Sequence, residues 1–267
     1  LMRTVAGAAR RLKARISAEA SGVIADFTIE GRKAVGLLAD AYAIALHRFG
    51  SMPERGFLPI SVDDVKEAIG TGRLLPSVTA RAKDGVEVGK SFGLGVASYL
   101  GSILEIEAVS FAARESGKGS VRMNDTAGSM VKDSLYNAAV SIRKLFDIDL
   151  SATDVHVNIV GGAKVDGPSA GLAITLAIFS TVTSLPLRQD VAVTGEVSLQ
   201  GQVKAIGGVY EKLYGAKQAG MKVVLLPEEN SKGVKEVRGI DVVFVSDVRE
   251  ALDVVCPQWR QSAFCAD

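Results

Sequence analysis

The longest uncharged stretch of the chain runs from Gly167 to Leu187, between Asp166 and Arg188, and twenty-one residues without a charge restrict what can surround them. Such a run either crosses a bilayer or lies inside a large folded domain. Only eleven of the twenty-one are strongly apolar, and glycines, prolines, serines and threonines interrupt them from Gly167 to Pro186. That composition favours a buried helix over a membrane span. The chain can supply the surrounding domain, since 48% of its 267 residues are apolar and 23% charged, which excludes coiled-coil, collagen-like and disordered readings. At ~150 residues per domain, two unequal domains are expected.

Bulk charge selects no partner. Lys plus Arg number 31 against 30 Asp plus Glu, so a net charge of +1 gives no pull toward nucleic acid or anionic lipid. The two cysteines, Cys256 and Cys265, have neither Cys-x-x-Cys spacing nor a nearby histidine. No metal site or disulfide framework is expected, and a reducing cytoplasm is the expected compartment. The first fifteen residues carry Arg3, Arg10, Arg11, Lys13 and Arg15 but no apolar segment of a secretion signal. Val5, Ala9, Leu12 and Ile16 recur at helical steps there and predict a helix.

The hydrophobic period changes along the chain. Up to about residue 72 it is helical: Val35, Leu38, Tyr42, Ala45 and Phe49 form a second stripe. Ser61 and Asp64 then make a capping-box pattern ahead of Val62, Val65 and Ile69, with Gly70, Gly72 and Pro76 ending the element. This predicts a small all-helical domain over 1–72. From about residue 78 the pattern becomes strand-like, at Gly93–Ala97 and again at Ile103–Val109, with a break expected at Gly101-Ser102. A long amphipathic helix is predicted from about Thr126 to Phe146, followed by an alternating strand at Val155–Ile159. Strand and helix continue to alternate, so the second domain, 73–256, is α/β and the chain as a whole α+β, with 257–267 a tail of no evident role.

Two motifs suggest chemistry. Gly85-Val-Glu-Val-Gly89-Lys90-Ser91 resembles a phosphate loop, but it has three residues between its glycines where four are needed, and it leads into a strand. Gly167-Pro168-Ser169-Ala170-Gly171 has the Gly-x-Ser-x-Gly pattern of a nucleophilic serine and opens the uncharged run. The same five residues also read as a plain helix start, with Asp166 as cap and Pro168 in the first turn. An α/β-hydrolase triad needs its histidine after the serine, yet His47 and His156 both precede Ser169. A triad in another order would have to recruit His156, on an alternating strand where a structural histidine is the commoner outcome. If Ser169 is a nucleophile, a base other than histidine is expected, and a lysine neutralised by burial can serve. In the helix predicted after Gly207-Gly208, Val209, Leu213 and Ala216 form the inward stripe; Lys212 flanks it and Lys217 lies only slightly farther out. Spacing does not choose between the two lysines.

Four ordered blocks, Val165–Gly171, Val193-Thr194-Gly195-Glu196-Val197, Gly201-Gln202-Val203 and Ile206-Gly207-Gly208-Val209-Tyr210-Glu211-Lys212-Leu213, together resemble the proteolytic domain of the Lon protease family. The likeness runs from about 78 to 255, through Gly93–Ala97, Ile106-Glu107-Ala108 and Lys222–Asn230. It implies a serine peptidase with a Ser–Lys dyad: Ser169 as nucleophile, Lys212 as general base, Thr194 as the hydroxyl holding the lysine, and Asp166 as an aspartate that obstructs the site in inactive states. The approach Gly161–Asp166 is one residue shorter than in common bacterial members and resembles the sporulation-type branch.

Residues 1–72, with Glu30–Val35, resemble the helical lid of an AAA+ module, in which Arg32 would sense nucleotide. The resemblance thus implies the C-terminal fragment of an ATP-dependent ring protease, hexameric and cytoplasmic, acting on unfolded or damaged proteins and peptides. No cofactor is expected in this chain itself, with ATP and Mg2+ required by the full-length protein. No specific nucleic acid and no membrane segment are expected. Two rivals are a ring-forming scaffold without catalysis, against which the retained Ser169 and Lys212 argue, and a nucleotide-driven motor, which the missing phosphate loop disfavours.

Overall fold

The computed structural model describes all residues except 29, 54–55, 72–79, 98–99, 116, 125–126, 161–165, 233, 235–236 and 265–267. The chain divides into two compact units, Leu1–Thr79 and Ala80–Asp267.

The first unit contains α1 (Met2–Arg11), β1 (Ala14–Ile16), α2 (Ala18–Phe27), α3 (Gly31–Phe49), β2 (Leu58–Ile60) and α4 (Val62–Thr71). It is not all-helical. The first helix stops at Arg11, Lys13 turns the chain with φ 51°, and β1 pairs in parallel with β2. Helical spacing through Ile16 was misleading because the partner strand lies more than forty residues away, beyond any local pattern. The buried face of α3 also differs from the expected stripe. Ala34, Leu37, Leu38, Ala41 and Ala45 are buried, whereas Val35 and Phe49 are exposed. Small alanines there let neighbouring helices approach, so the packed face is set by fit rather than by the largest side chains.

The capping box at α4 forms as its sequence predicts. Ser61 N donates to Asp64 Oδ2 at 2.7 Å and Asp64 N to Ser61 Oγ at 3.1 Å. Arg48 adds a two-pronged contact, Nε to Oδ1 at 3.0 Å and Nη2 to Oδ2 at 2.6 Å. Burial raises the Asp64 pKa, but the Ser61 and Arg48 hydrogen bonds outweigh it and hold the carboxyl below the ordinary aspartate value.

The second unit is built on a seven-stranded mixed sheet. Its elements are β3 (Val86–Glu87), β4 (Lys90–Ala97), β5 (Leu100–Ala112), β6 (Val121–Met123), α5 (Ser129–Phe146), β7 (Thr153–Ile159), α6 (Gly171–Thr183), β8 (Leu187–Arg188), β9 (Val191–Val193), β10 (Glu196–Val197), β11 (Val203–Lys204), α7 (Val209–Gln218), β12 (Val223–Pro227), β13 (Asp241–Val245) and α8 (Val248–Val255). The strand order is β13-β12-β9-β4-β5-β7-β6, antiparallel at β4–β5 and β5–β7 and parallel elsewhere. Pairs β3–β8 and β10–β11 stand outside it. The architecture is mixed α/β, as the alternation of periods predicts.

The uncharged run forms α6, the centre of the core. Every residue from Gly171 to Ser180 is buried. Its polar side chains satisfy themselves locally, Thr175 Oγ1 donating to Gly171 O at 2.8 Å and Ser180 Oγ to Leu185 O at 2.5 Å, while Ser180 Oγ accepts from Gly89 N at 2.8 Å. Among the described residues no helix is long and apolar enough to cross a membrane. Of the inward stripe expected for α5, Val131, Leu135, Ala138 and Ile142 are buried in the same core and Leu145 is half-buried against it, while Phe146 lies 4.7 Å from Phe179 between ring centres. Trp259, in the segment expected to be a tail, is buried edge-on to Phe146 at 5.8 Å and donates to Asp253. Residues 257–261 form a 3-10 turn that places Trp259 in the core, while its other residues are exposed.

Replacing Asp64 by Ala should lower stability by about 1–2 kcal/mol at pH 7, the usual worth of a helix cap. Because the folded pKa is depressed, the charge-dependent part is present above the unfolded value near 4 and vanishes as pH falls through the folded one. Amide exchange of Val62–Thr71 in the parent and variant from pH 7 to pH 3 checks both.

Candidate active site

A cavity of about 480 Å3 lies at the hairpin end of β4 and β5. Those strands contribute Gly95, Val96, Ser102 and Leu104; the segment before α6 contributes Asp166–Ala170, the segment before α7 Ala205–Gly208, and α7 itself Lys212.

Ser169 sits in a 3-10 turn, Pro168–Ala170, that runs directly into α6. Both glycines of its motif have a steric reason. Gly167 has φ 116°, which favours glycine, and a side chain at Gly171 would stand 3.1 Å from the Val197 nitrogen. Two donors fix the serine backbone: Gly195 N to Ser169 O at 3.0 Å and Thr194 Oγ1 to the same oxygen at 3.1 Å. Leu172 N returns a bond to Gly195 O at 2.9 Å.

Thr194 also meets Lys212. Lys212 Nζ donates to Thr194 Oγ1 at 3.1 Å, and the two residues are 3% and 0% exposed. Burial pulls the Lys212 pKa down from 10.5 to about 8, with no carboxylate among the described residues opposing it. The three residues therefore form a relay from Lys212 Nζ through Thr194 Oγ1 to the Ser169 carbonyl, while no hydrogen bond joins Ser169 Oγ to Lys212 Nζ. Lys217, which spacing left as an equal, points away: it is exposed and its Nζ donates to Arg238 O at 2.5 Å.

Asp166 does not cap its own helix as its position suggested. Its Oδ1 accepts from Met130 N at 3.2 Å and Gly167 N at 2.9 Å, so it caps α5, whose own cap residue Gly128 has no side chain. The carboxylate thus ties the start of α5 to the serine turn. Arg32 lies in the first unit, exposed in the first turn of α3. His156 is exposed on β7 and lines no part of the cavity. The shortened approach to the serine, 161–165, lies outside the described residues.

The phosphate-loop likeness dissolves. Lys90 is the first residue of β4 and is buried against Glu105 and Glu87. Among the described residues no group of three or more His, Cys, Asp or Glu is placed to hold a metal ion.

Sequence reasoning missed the groups that shape the lysine side of the cavity. Asn230 accepts from Ile206 N at 2.9 Å and donates to Ile206 O at 3.0 Å, imitating a strand partner. Glu229 accepts from Ala205 N at 2.9 Å and from Lys204 Nζ at 3.1 Å. The Pro227-Glu228-Glu229-Asn230 sequence shows only an acidic turn; nothing local connects it to residue 206.

Residues 59–257 match the Lon protease (S16) C-terminal proteolytic domain. The chain belongs to the Lon protease family. Lon protease 2 of Bacillus subtilis is 34% identical across 98% of the chain, which covers 49% of that relative. Lon protease 1 of Thermus thermophilus is 35% identical over 76% of the chain and 26% of its own length. The Lon protease of Trichlorobacter lovleyi is 38% identical over 62% of the chain and 21% of its own length. The chain thus spans about half or less of these relatives. The Lon match begins at Pro59, within β2 of the first unit, and ends at Pro257, just past α8.

If Asn230 holds the Ala205–Gly208 wall, Asn230→Ala should remove two hydrogen bonds worth about 1 kcal/mol each. The Ile206 amide should then exchange at least tenfold faster while the α6 amides are unchanged, which hydrogen–deuterium exchange measures.

Proposed function

We propose that this chain is the proteolytic part of an ATP-dependent serine endopeptidase, with Ser169 as nucleophile and Lys212 as general base. The observation that carries the reading is a buried lysine, without a counter-ion among the described residues, in the same cavity as a serine at a helix start. A base works best with a pKa near the operating pH, and burial brings Lys212 there.

Thr194 sets the amine's direction. Its single hydroxyl proton is committed to Ser169 O, so its oxygen must accept from Lys212. A neutral amine that spends one N–H on Thr194 keeps its lone pair for the cavity. A movement of the lysine side chain then brings Lys212 Nζ to the Ser169 hydroxyl. Lys212 takes the proton as Ser169 Oγ bonds to the substrate carbonyl carbon, and first-turn amides, that of Ser169 among them, meet the negative oxygen. The resulting ammonium gives its proton to the departing amine as the C–N bond breaks. In the second half Lys212 deprotonates water as its oxygen bonds to the acyl carbon of the Ser169 ester, and the ammonium then returns that proton to Ser169 Oγ as the acyl C–O bond breaks and the acid product leaves. Asp166 stays on the amides of Met130 and Gly167, so it does not neutralise the lysine.

The finer assignments belong to the same proposal. Residues 1–72 would be the helical lid of an AAA+ module with Arg32 as nucleotide sensor, a reading supported by the exposure of Arg32 in the first turn of α3. ATP and Mg2+ would act through other parts of a whole protein, since the Gly85–Ser91 segment here enters a strand and its lysine is paired. Unfolded or damaged proteins as substrates, a hexameric ring and a cytoplasmic location complete the reading on the strength of the family.

Ser169→Ala and Lys212→Met should each lower peptide hydrolysis at least a thousandfold, and Thr194→Val about ten- to a hundredfold. In the parent kcat/KM should rise as pH increases through about 8, because the neutral amine is the active form. Lys212→Met should melt above the parent at pH 7, since it removes a buried ammonium. A fluorogenic peptide assay from pH 6 to 10 with thermal melts checks all four.

A further inference from the structure

At two glycines, Gly101 of β5 and Gly215 of α7, helix and strand approach backbone to backbone. At Gly101 a side-chain carbon would collide with the Glu211 carbonyl and stand 3.0 Å from the Lys212 nitrogen. At Gly215, one turn farther along α7, it would meet the Gly101 carbonyl carbon at 2.5 Å and its oxygen at 2.6 Å. Neither glycine has a positive φ, so space alone requires the missing side chain. Glycine weakens the interior of both a helix and a strand, and in a strand it marks a site of close backbone approach. Here the approach brackets Lys212, which follows Glu211 directly and precedes Gly215 by less than a turn.

We propose that Gly101 and Gly215 are positioning residues for the reaction: by letting α7 lie backbone to backbone on β5, they set the depth at which Lys212 enters the cavity. The inference rests on the Ser169–Lys212 reading and adds how the amine is brought within reach of Thr194. Ordinary carbon contacts need about 3.5–4.0 Å, so a methyl group at either position pushes α7 outward by roughly 1 Å. The Lys212–Thr194 bond at 3.1 Å has no such slack. The displaced amine is better hydrated and stays protonated to higher pH. Among the described residues, Asp166 is the one other charged residue lining the cavity, held by the amides of Met130 and Gly167, and Glu211 precedes Lys212 on α7. The lining residues from β4, β5 and the 205–208 segment are uncharged.

The test uses Gly101→Ala and Gly215→Ala in the 267-residue chain, altering the contact from each side. Alanine ordinarily stabilises a helix relative to glycine, so a loss at Gly215 already runs against propensity. Two readouts apply: kcat/KM against pH, and titration of the Lys212 side chain by lysine-labelled NMR in a Ser169→Ala background, which needs no catalysis. Both variants should keep the parent's near-UV spectrum. The Lys212 midpoint should rise by one unit or more, which cuts the neutral fraction at pH 7 about tenfold per unit. Activity at pH 7 should fall by at least tenfold and recover toward pH 10. Lost activity with an unmoved titration midpoint, parent-like activity, or loss of the native spectrum in both variants would each overturn the proposal. Retained cleavage in Lys212→Met instead removes the catalytic reading, while the titration still reports what the glycines do.

Discussion

An amine buried to 3% exposure with no carboxylate beside it is an expensive thing to keep in a folded protein, and among the described residues Lys212 is in that position. Moving its pKa from 10.5 to about 8 disfavours the charged form by about 3 kcal/mol. The surroundings do nothing to relieve that cost with an opposite charge. They instead hold the amine on one hydroxyl, Thr194 Oγ1, which is itself fixed to the Ser169 carbonyl. A lysine left uncompensated in this way is a poor stabiliser and a good base, and much of the second unit can be read as support for it.

That support comes from distant parts of the chain. The serine turn is continuous with α6, which is buried on every side from Gly171 to Ser180. Asp166 joins the same turn to the start of α5, and α5 closes the core through Phe146, Phe179 and Trp259. On the lysine side, Glu229 and Asn230 hold the Ala205–Gly208 wall ahead of α7. The groups proposed to act in catalysis thus stand on helices and turns joined by short polar links, the arrangement that keeps reacting atoms in register.

The sequence was informative wherever the determining interaction is local. The capping box at Ser61 and Asp64, the stripe of α5 and the buried character of α6 each depend on neighbours within one or two turns, and each forms. It was misleading where a distant partner decides. Ala14–Ile16 continues a helical pattern but pairs with Leu58–Ile60. Gly101-Ser102 looks like a strand break, yet β5 runs through it, because Gly101 makes room for α7 rather than a turn. Asp166 looks like a cap for the helix that follows it and instead caps α5. At the site, the serine motif was legible, but spacing could not separate Lys212 from Lys217; only packing shows one amine turned into the cavity and the other bonded to Arg238 O.

The central claim, that Lys212 in its neutral form activates Ser169, can be tested without any substrate. An organophosphofluoridate that phosphorylates nucleophilic serines should label the chain at Ser169, as peptide mapping by mass spectrometry reads. The labelling rate should climb with pH around an inflection near 8 and disappear when Lys212 is replaced by Met. Labelling of a different residue, a rate indifferent to pH between 6 and 10, or undiminished labelling in the Lys212→Met chain would contradict the account.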